Sequence, residues 1–142
     1  EPVTVDLNAW LSQIIPSLMG LAPANVTFDF IPDSRSRQAD LDPMLMERVF
    51  VNIVMNAIES IGDSPDGHIT IRVADRRITV TDNGSGIRPE DAARLFTPFF
   101  STKRPDRGLG LMLIADILRS HHARFSLAPA GAAGAVFTID LP

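Results

Sequence analysis

Apolar residues recur along this chain with two different spacings, which predict an alternation of helices and strands. In residues 7–21 they return every three or four positions, a spacing that predicts a helix in which Pro16 can introduce a kink. In residues 26–30 they alternate with polar residues, which predicts a strand, and a second short strand is expected at residues 38–41. The first part of the chain therefore predicts one helix and two strands.

The middle of the chain predicts a long helix followed by two antiparallel strands. Asp42 stands before Pro43, which is typical of an N-cap residue followed by proline at the first helical position, and the helix is expected to reach about Ile61. Apolar and polar residues then alternate on both sides of a short link at residues 74–77, which predicts an antiparallel strand pair. The alternating apolar residues are Ile69, Ile71, Val73, Ile78 and Val80.

The last part of the chain predicts two helices and a closing strand pair. The helices are expected at residues 89–95 and from about Leu109 to Ser120, and the strands at residues 125–127 and 136–141. Because hairpins replace repeated strand-helix-strand units, we predict an α+β fold. It is a two-layer α/β sandwich whose mixed, mostly antiparallel sheet is covered by helices on one face. The 142 residues fit one domain, expected over residues 1–142.

The composition disfavours or excludes several classes of function. A hydrophobic fraction of 45% without a long uncharged run is that of a soluble domain with no direct membrane contact, and a net charge of -4 gives no general attraction to nucleic acid. The absence of cysteine excludes disulfides, thiolate metal sites and cysteine nucleophiles. The first residues show neither an initiator methionine nor a signal peptide, so we expect a cytoplasmic piece of a longer protein, whether or not that parent is membrane-anchored.

The long helix carries a row of polar residues beside its apolar face. Arg48, Asn52, Asn56 and Ser60 are four positions apart and therefore lie in one row. Asparagine is unfavourable inside a helix, so Asn52 and Asn56 require an explanation. They either form a solvated or hydrogen-bonded border of the core, or supply an amide oxygen to a Mg²⁺ ion that carries a nucleotide phosphate.

A carboxylate and two glycines follow the second strand of the predicted pair. In isolation, Asp82, Asn83 and Gly84 are typical of a tight turn. Since Gly86 follows a beta-rich run here, the carboxylate is also expected at a strand end, beside a backbone that a ligand can approach closely. A buried Asp82 would then be able to accept a hydrogen bond from an exocyclic amine such as that of adenine.

Two further segments are candidates for phosphate binding. The phenylalanines between Leu95 and Lys103 either plug the core or hinge a mobile segment, and Lys103, the only lysine, either contacts a terminal phosphate or is a solvated charge. Residues 108–111, Gly-Leu-Gly-Leu, precede a predicted helix, where free N–H groups favour an anion. They match neither a Walker loop, which ends in lysine and serine or threonine, nor a Rossmann fingerprint, which has a third glycine.

Together and in this order, these segments resemble the sequence boxes of the GHKL nucleotide-binding superfamily, and within it the catalytic domain of sensor histidine kinases. The matching segments are residues 52–57 for the N box, 82–87 for the first glycine box, 96–103 for the F box and 108–111 for the second glycine box. The likeness covers nearly the whole chain. It implies an α/β sandwich in which ATP lies between the long helix and a flexible lid.

The resemblance also implies a role for each matching residue. Asn56 would ligate Mg²⁺, Asn52 would lie near the phosphates, and Asp82 would hold the adenine amine. Further nucleotide contacts are implied for Gly84, Gly86, Ile87, Phe96, Lys103, Gly108, Leu109, Gly110 and Leu111. Asn52, Asn56 and Lys103 would be the catalytic residues, which position ATP and neutralise its charge for phosphoryl transfer.

The implied activity is that of an ATP-dependent protein-histidine kinase. Its acceptor would be a histidine on a dimerisation helix outside this chain, and a response regulator receiver domain would act downstream. Related ATPases carry a water-activating glutamate at the position of Asn52, so hydrolysis is expected to be slow. The alternatives are an anti-sigma-factor-type serine kinase and a non-catalytic nucleotide-sensing module, the latter motivated by Pro105 in the lid and by Gly134-Ala135 in place of glycine-threonine.

None of the three histidines has the setting of a phosphoacceptor. His68 lies beside a predicted strand, while His121 and His122 end a predicted helix. Structural roles are therefore expected for all three. The chain is expected to bind ATP without phosphorylating itself.

Overall fold

A computed structural model describes residues 1–86, 105–131 and 133–142 of the chain. Its elements alternate along the chain as the apolar spacing predicts. In order they are β1 Val3–Asp6, α1 Leu7–Met19, β2 Val26–Ile31, β3 Gln38–Leu41, α2 Pro43–Ile61, β4 Gly67–Ala74, β5 Arg77–Asp82, α3 Pro105–Ser120, β6 Arg124–Pro129 and β7 Ala135–Asp140. The helix predicted at residues 89–95 lies outside the described residues.

Five of the strands form one mixed sheet in the order β2-β4-β5-β7-β6. Strand β2 runs parallel to β4, with Val26 opposite Gly67, whereas the other three pairs are antiparallel. The remaining strands, β1 and β3, form a separate antiparallel pair. The predicted mixed, mostly antiparallel sheet is confirmed, although the sequence did not indicate β1.

One face of the sheet is covered by the helices. In β4, Ile69, Ile71 and Val73 are buried, while Arg72 on the opposite face is exposed. Helix α2 packs on β4 and β5, α1 contacts β2, and α3 contacts both α2 and β6. This arrangement confirms the predicted α+β fold with two layers, and it places the C-terminal end of α2 beside the end of β5.

Helix α2 begins and buries its apolar side as the sequence predicts. Asp42 is the N-cap, where its carboxylate accepts a hydrogen bond from Leu45 N–H at 3.1 Å, and Pro43 opens the helix. The ring of Phe50 packs against that of Trp10 of α1 in a T-shaped arrangement, with ring centroids 5.8 Å apart. The buried row consists of Val49, Ile53, Ala57 and Ile61. The polar row of α2 therefore borders the core and stays partly accessible.

Helix α3 begins earlier than predicted. It starts at Pro105 instead of about Leu109, so the Gly-Leu-Gly-Leu run lies inside the helix and does not precede it. Proline is favoured at the first helical position and an acidic residue such as Asp106 is favourable in the first turn, which accounts for the earlier start. The two glycines weakened the helical pattern in the sequence, since each costs about 1 kcal/mol relative to alanine.

The side chain of His121 joins the end of α3 to the start of α2. Its Nε2 accepts a hydrogen bond from the Asp42 N–H at 3.0 Å, and its Nδ1 donates to the Ile117 carbonyl oxygen at 2.8 Å. These two bonds require the neutral imidazole with its proton on Nδ1. Because Asp42 caps α2, this histidine contributes to the position of the helix that carries the polar row, which is a structural role as predicted.

Replacing His121 with alanine is expected to lower the free energy of unfolding by about 1–3 kcal/mol, because the part-buried Asp42 N–H loses its acceptor. Urea unfolding at neutral pH measures the change. His122→Asn is the matched control, since His122 is exposed and has a φ of 58°, which asparagine tolerates. Unchanged stability of the His121→Ala variant would contradict the assigned role.

Candidate functional site

The candidate site lies where the C-terminal end of α2, the end of β5 and the turn between β6 and β7 meet. Asp82 is the last residue of β5 and pairs with Ala135 at the start of β7. The loop after Asp82 turns back onto α2, where Ser85 N–H donates to the Ser60 carbonyl oxygen at 3.0 Å. Residues distant in sequence are thereby brought to one end of the sheet.

Asp82 is the one buried polar or charged residue in the part of the chain that the structure describes, with 9% of its surface exposed. Its Oδ1 accepts a hydrogen bond from Gly84 N–H at 2.8 Å, and the Ala135 N–H also bonds to the carboxyl group. Burial raises the pKa of Asp82, while the two N–H groups act in the opposite direction. A carboxylate has about four acceptor positions, so Asp82 retains the capacity to accept a hydrogen bond from a ligand amine.

Glycines let three backbone segments approach one another around Asp82. A Cβ on Gly134, which has a φ of +88°, would lie 1.8 Å from the backbone oxygen of Asp82. A Cβ on Gly84 would lie 2.4 Å from Ser60 Oγ, and one on Gly86 would lie 2.9 Å from the Gly134 carbonyl oxygen. Any larger residue at these positions would push the segments apart.

The two asparagines of α2 lie on the partly exposed row that leads to this loop. Asn52 donates from Nδ2 to the Arg48 carbonyl oxygen at 2.8 Å, and its amide oxygen has no partner in the described ranges. The side chain of Asn56 has no hydrogen-bond partner among the described residues, and Ser60 lies one turn further along the same row. The row therefore presents amide oxygens on the side of α2 that leads to Asp82.

The described donor groups fit a magnesium ion that arrives with a phosphate. Within residues 1–86, 105–131 and 133–142, no group of three or more histidine, cysteine, aspartate or glutamate residues is placed to hold a metal. Mg²⁺ bound by one or two protein oxygens, by waters and by substrate phosphates does not need such a cluster. The Asn56 amide oxygen is suited to be that protein ligand.

The other predicted site residues either lie outside the described residues or belong to α3. Ile87, Phe96 and Lys103 lie outside the described residues, so their nucleotide contacts stay predictions. Gly108, Leu109 and Gly110 lie within α3, and Leu111 is buried in the core with 4% exposure. Helix α3, which contains the second glycine box, packs against α2, the helix that carries the asparagines.

Two groups at the site were not predicted as site residues. Ser60 belongs to the polar row of α2, but its residue type suggests no particular role, and at Ala135 the sequence draws attention to the side chain and not to the backbone N–H. The row spacing was a signal for Ser60. No sequence signal pairs Ala135 with Asp82, because the two residues are 53 positions apart and every residue other than proline carries a backbone N–H.

Comparisons with known proteins agree with this geometry. A family model described as histidine kinase-, DNA gyrase B- and HSP90-like ATPase matches residues 41–142. The chain belongs to this family, and it is an ATP-binding domain of the sensor histidine kinase type.

Individual relatives point to the same class. The sensor histidine kinase ZraS of Salmonella typhi is 36% identical over 153 residues, which cover 100% of this chain and 32% of ZraS. The C4-dicarboxylate transport sensor protein DctS of Rhodobacter capsulatus is 38% identical over 145 residues, which cover 97% of this chain and 22% of DctS. The chain thus spans about a third or less of these two relatives.

A solved structure of the same class has the same fold. The catalytic domain of histidine kinase ThkA, in a nucleotide-free form, superposes with a TM-score of 0.80 at 26% identity, covering 100% of this chain and 97% of that chain.

In the described part of the present chain, no helix combines the length and apolar character needed to cross a membrane.

Proposed function

We propose that this domain binds Mg-ATP and transfers the γ-phosphoryl group to a histidine on a dimerisation helix of its parent protein. The observation that carries the proposal is the buried Asp82 carboxylate at the end of β5, next to the helix that carries Asn52 and Asn56. Burying a carboxylate costs free energy, and such a cost is typical of a group retained for binding. Asp82 accepts the adenine amine in this proposal, and the polar row of α2 meets the phosphates.

The reaction requires positioning and charge neutralisation more than a covalent group on the enzyme. A bond forms between the γ-phosphorus and a ring nitrogen of the acceptor histidine, and the bond from the γ-phosphorus to the bridging oxygen of the β-phosphate breaks, which leaves ADP. Asn56 would hold a magnesium ion, and that ion would neutralise phosphate charge. In this proposal Asn52 would lie near the phosphates, and Lys103, which lies outside the described residues, would supply a positive charge to them.

Asn52 is the local reason to propose transfer over hydrolysis. An amide has no basic site that can take a proton from water near neutral pH, and the Nδ2 of Asn52 is already engaged with the Arg48 carbonyl oxygen. Bound ATP is therefore reserved for the acceptor helix. The downstream partner in this proposal is the receiver domain of a response regulator, and the site works in the cytoplasm.

The proposal is tested with the domain joined to the dimerisation and acceptor helices of its parent, using ATP labelled at the γ-phosphate. Asn56→Ala is expected to reduce label transfer to the acceptor histidine by about 100-fold or more, as expected when a transition-state electrostatic contact is lost. Met55→Ala is the matched control, because Met55 is an exposed neighbour on α2 with 47% of its surface accessible.

Three results would overturn parts of the proposal. Transfer of label to a partner serine in preference to the histidine would identify a serine kinase. ATP binding without transfer to either acceptor would identify a nucleotide-sensing module. Rapid ATP hydrolysis without an acceptor, dependent on Asn56, would contradict the role given to Asn52.

A further inference from the structure

Ser60 is the residue through which α2 holds the loop that follows Asp82. The Ser85 N–H donates to the Ser60 carbonyl oxygen at 3.0 Å, and the Gly86 N–H donates to Ser60 Oγ at 3.4 Å. Ser60 Oγ also lies 3.4 Å from Ser85 Oγ. Two of these three contacts depend on the hydroxyl group.

The loop backbone lies directly against the end of the helix at the same place. A Cβ on Gly84 would lie 2.4 Å from Ser60 Oγ and 2.7 Å from Ile61 N. The N–H groups of the three loop residues are all engaged: that of Gly84 by Asp82, and those of Ser85 and Gly86 by Ser60. Two residues thus accept all three of these N–H groups, and one of the two is the proposed base acceptor.

On its other side the loop contacts the turn between β6 and β7. A Cβ on Gly86 would lie 2.9 Å from the Gly134 carbonyl oxygen, so the loop is held between this turn and α2. Removing the Ser60 hydroxyl would leave the Gly134 contact and the bond from Ser85 N–H to the Ser60 carbonyl oxygen in place. The loop would remain folded but would move more freely relative to α2.

We propose that Ser60 is a positioning residue for base selection. Its hydroxyl fixes the Gly84–Gly86 loop. Because the Gly84 N–H donates to Asp82, the hydroxyl also fixes the Asp82 carboxylate relative to Asn56, which lies one helical turn before Ser60. The inference rests on the proposed function, in which Asp82 accepts the amino group of adenine. Guanine carries a carbonyl oxygen at that position, and an acceptor held rigidly in place rejects it most strongly.

The experiment compares ATP and GTP binding in the presence of Mg²⁺ by titration calorimetry of the full chain. Ser60→Ala is expected to weaken ATP binding by about 3- to 10-fold and GTP binding by less than about 2-fold, the size of effect expected for one or two neutral hydrogen bonds. The preference for ATP, measured as the dissociation constant of GTP divided by that of ATP, should therefore decrease. A residue with a merely structural role would change both constants together and leave their ratio unchanged.

Two serine variants provide matched controls. Ser64→Ala alters an exposed residue four positions further on, and it should leave both constants at their wild-type values. Ser85→Ala removes the contact between the two hydroxyls but keeps the bond from Gly86 N–H to Ser60 Oγ, so a smaller change in the ratio is expected. Urea unfolding of each variant shows whether it folds like the wild type.

Asp82→Asn separates failure of this inference from failure of the proposed function. If Asp82→Asn abolishes the preference for ATP while Ser60→Ala leaves it intact, the role of Ser60 is overturned and the nucleotide site stands. If neither variant changes the preference, base recognition by Asp82 fails, and the role of Ser60 fails with it.

Discussion

The Gly134→Ala variant is expected to lose more than about 3 kcal/mol of unfolding free energy, and its nucleotide site with it. A Cβ at this position would lie 1.8 Å from the Asp82 backbone oxygen and 2.9 Å from Asn83 Cα. Both are backbone atoms, so no side-chain rotation can relieve the overlap. Strand β7 would have to separate from β5 where Ala135 pairs with Asp82. Urea unfolding and ATP titration of the same sample measure both effects.

Gly131→Ala is the matched control, because it lies in the same turn between β6 and β7. Gly131 also has a positive φ, +66°, but among the described residues a Cβ there would meet nothing within 4 Å. The Gly131→Ala variant is expected to lose only about 1–2 kcal/mol of unfolding free energy, the cost of a left-handed backbone conformation at alanine. Its ATP binding is expected to stay unchanged. Equal losses of stability in the two variants would show that close backbone approach is not the reason why glycine is needed at residue 134.

Asp82→Asn is expected to weaken ATP binding by about 10- to 100-fold and to remove the preference for ATP over GTP. The carboxylate is buried, and an amide in its place offers one acceptor oxygen beside a donor group that would oppose the adenine amine. Calorimetric titration of both nucleotides with Mg²⁺ measures the loss. An ATP affinity equal to that of the wild type would remove Asp82 from the site.

The same substitution is not expected to lower the stability of the nucleotide-free domain at neutral pH. Because burial raises the pKa of Asp82, its ionisation opposes folding, and the cost is present above that raised pKa. Below the usual aspartate pKa the carboxyl group is neutral in both the folded and unfolded states, and the cost disappears. Urea unfolding should therefore show the Asn variant at least as stable at pH 7, with this advantage lost as the pH falls. A large loss of stability at pH 7 would contradict a binding role.

Most of the secondary structure could be predicted because apolar spacing is a local property. Helix α2 shows this best, since its N-cap, its opening proline and its buried row all lie within residues 42–61 and are found where predicted. The start of α3 was predicted four residues too late, because Gly108 and Gly110 resemble a loop until packing against α2 stabilises the helix. Strand β1 has only four residues, which are exposed or half-buried, so its sequence pattern does not indicate a strand. It is a strand because it pairs with β3.

The sequence predicted which residues belong to the site, but not which contacts they make with one another. The order of the segments around Asn56, Asp82 and Gly108 identified the family, which the comparisons confirm. The bonds from Gly86 to Ser60, and from the Ala135 N–H to Asp82, join positions 26 and 53 residues apart. Their partners are a hydroxyl and backbone groups that occur throughout any chain, so the sequence could not indicate that they meet.

The sequence by itself therefore determined the α+β class, the limits of most elements and the residues that define the family, because these depend on side-chain identity and on spacing along the chain. Tertiary structure alone decided which strand pair is parallel, and it also decided that Asp82 is buried. Glycines at residues 84, 86 and 134 let α2, the β5 loop and the β6–β7 turn approach within contact. The physical reason is that the cost of burying a carboxylate, and the geometry that offsets it, arise only when distant backbone segments surround it.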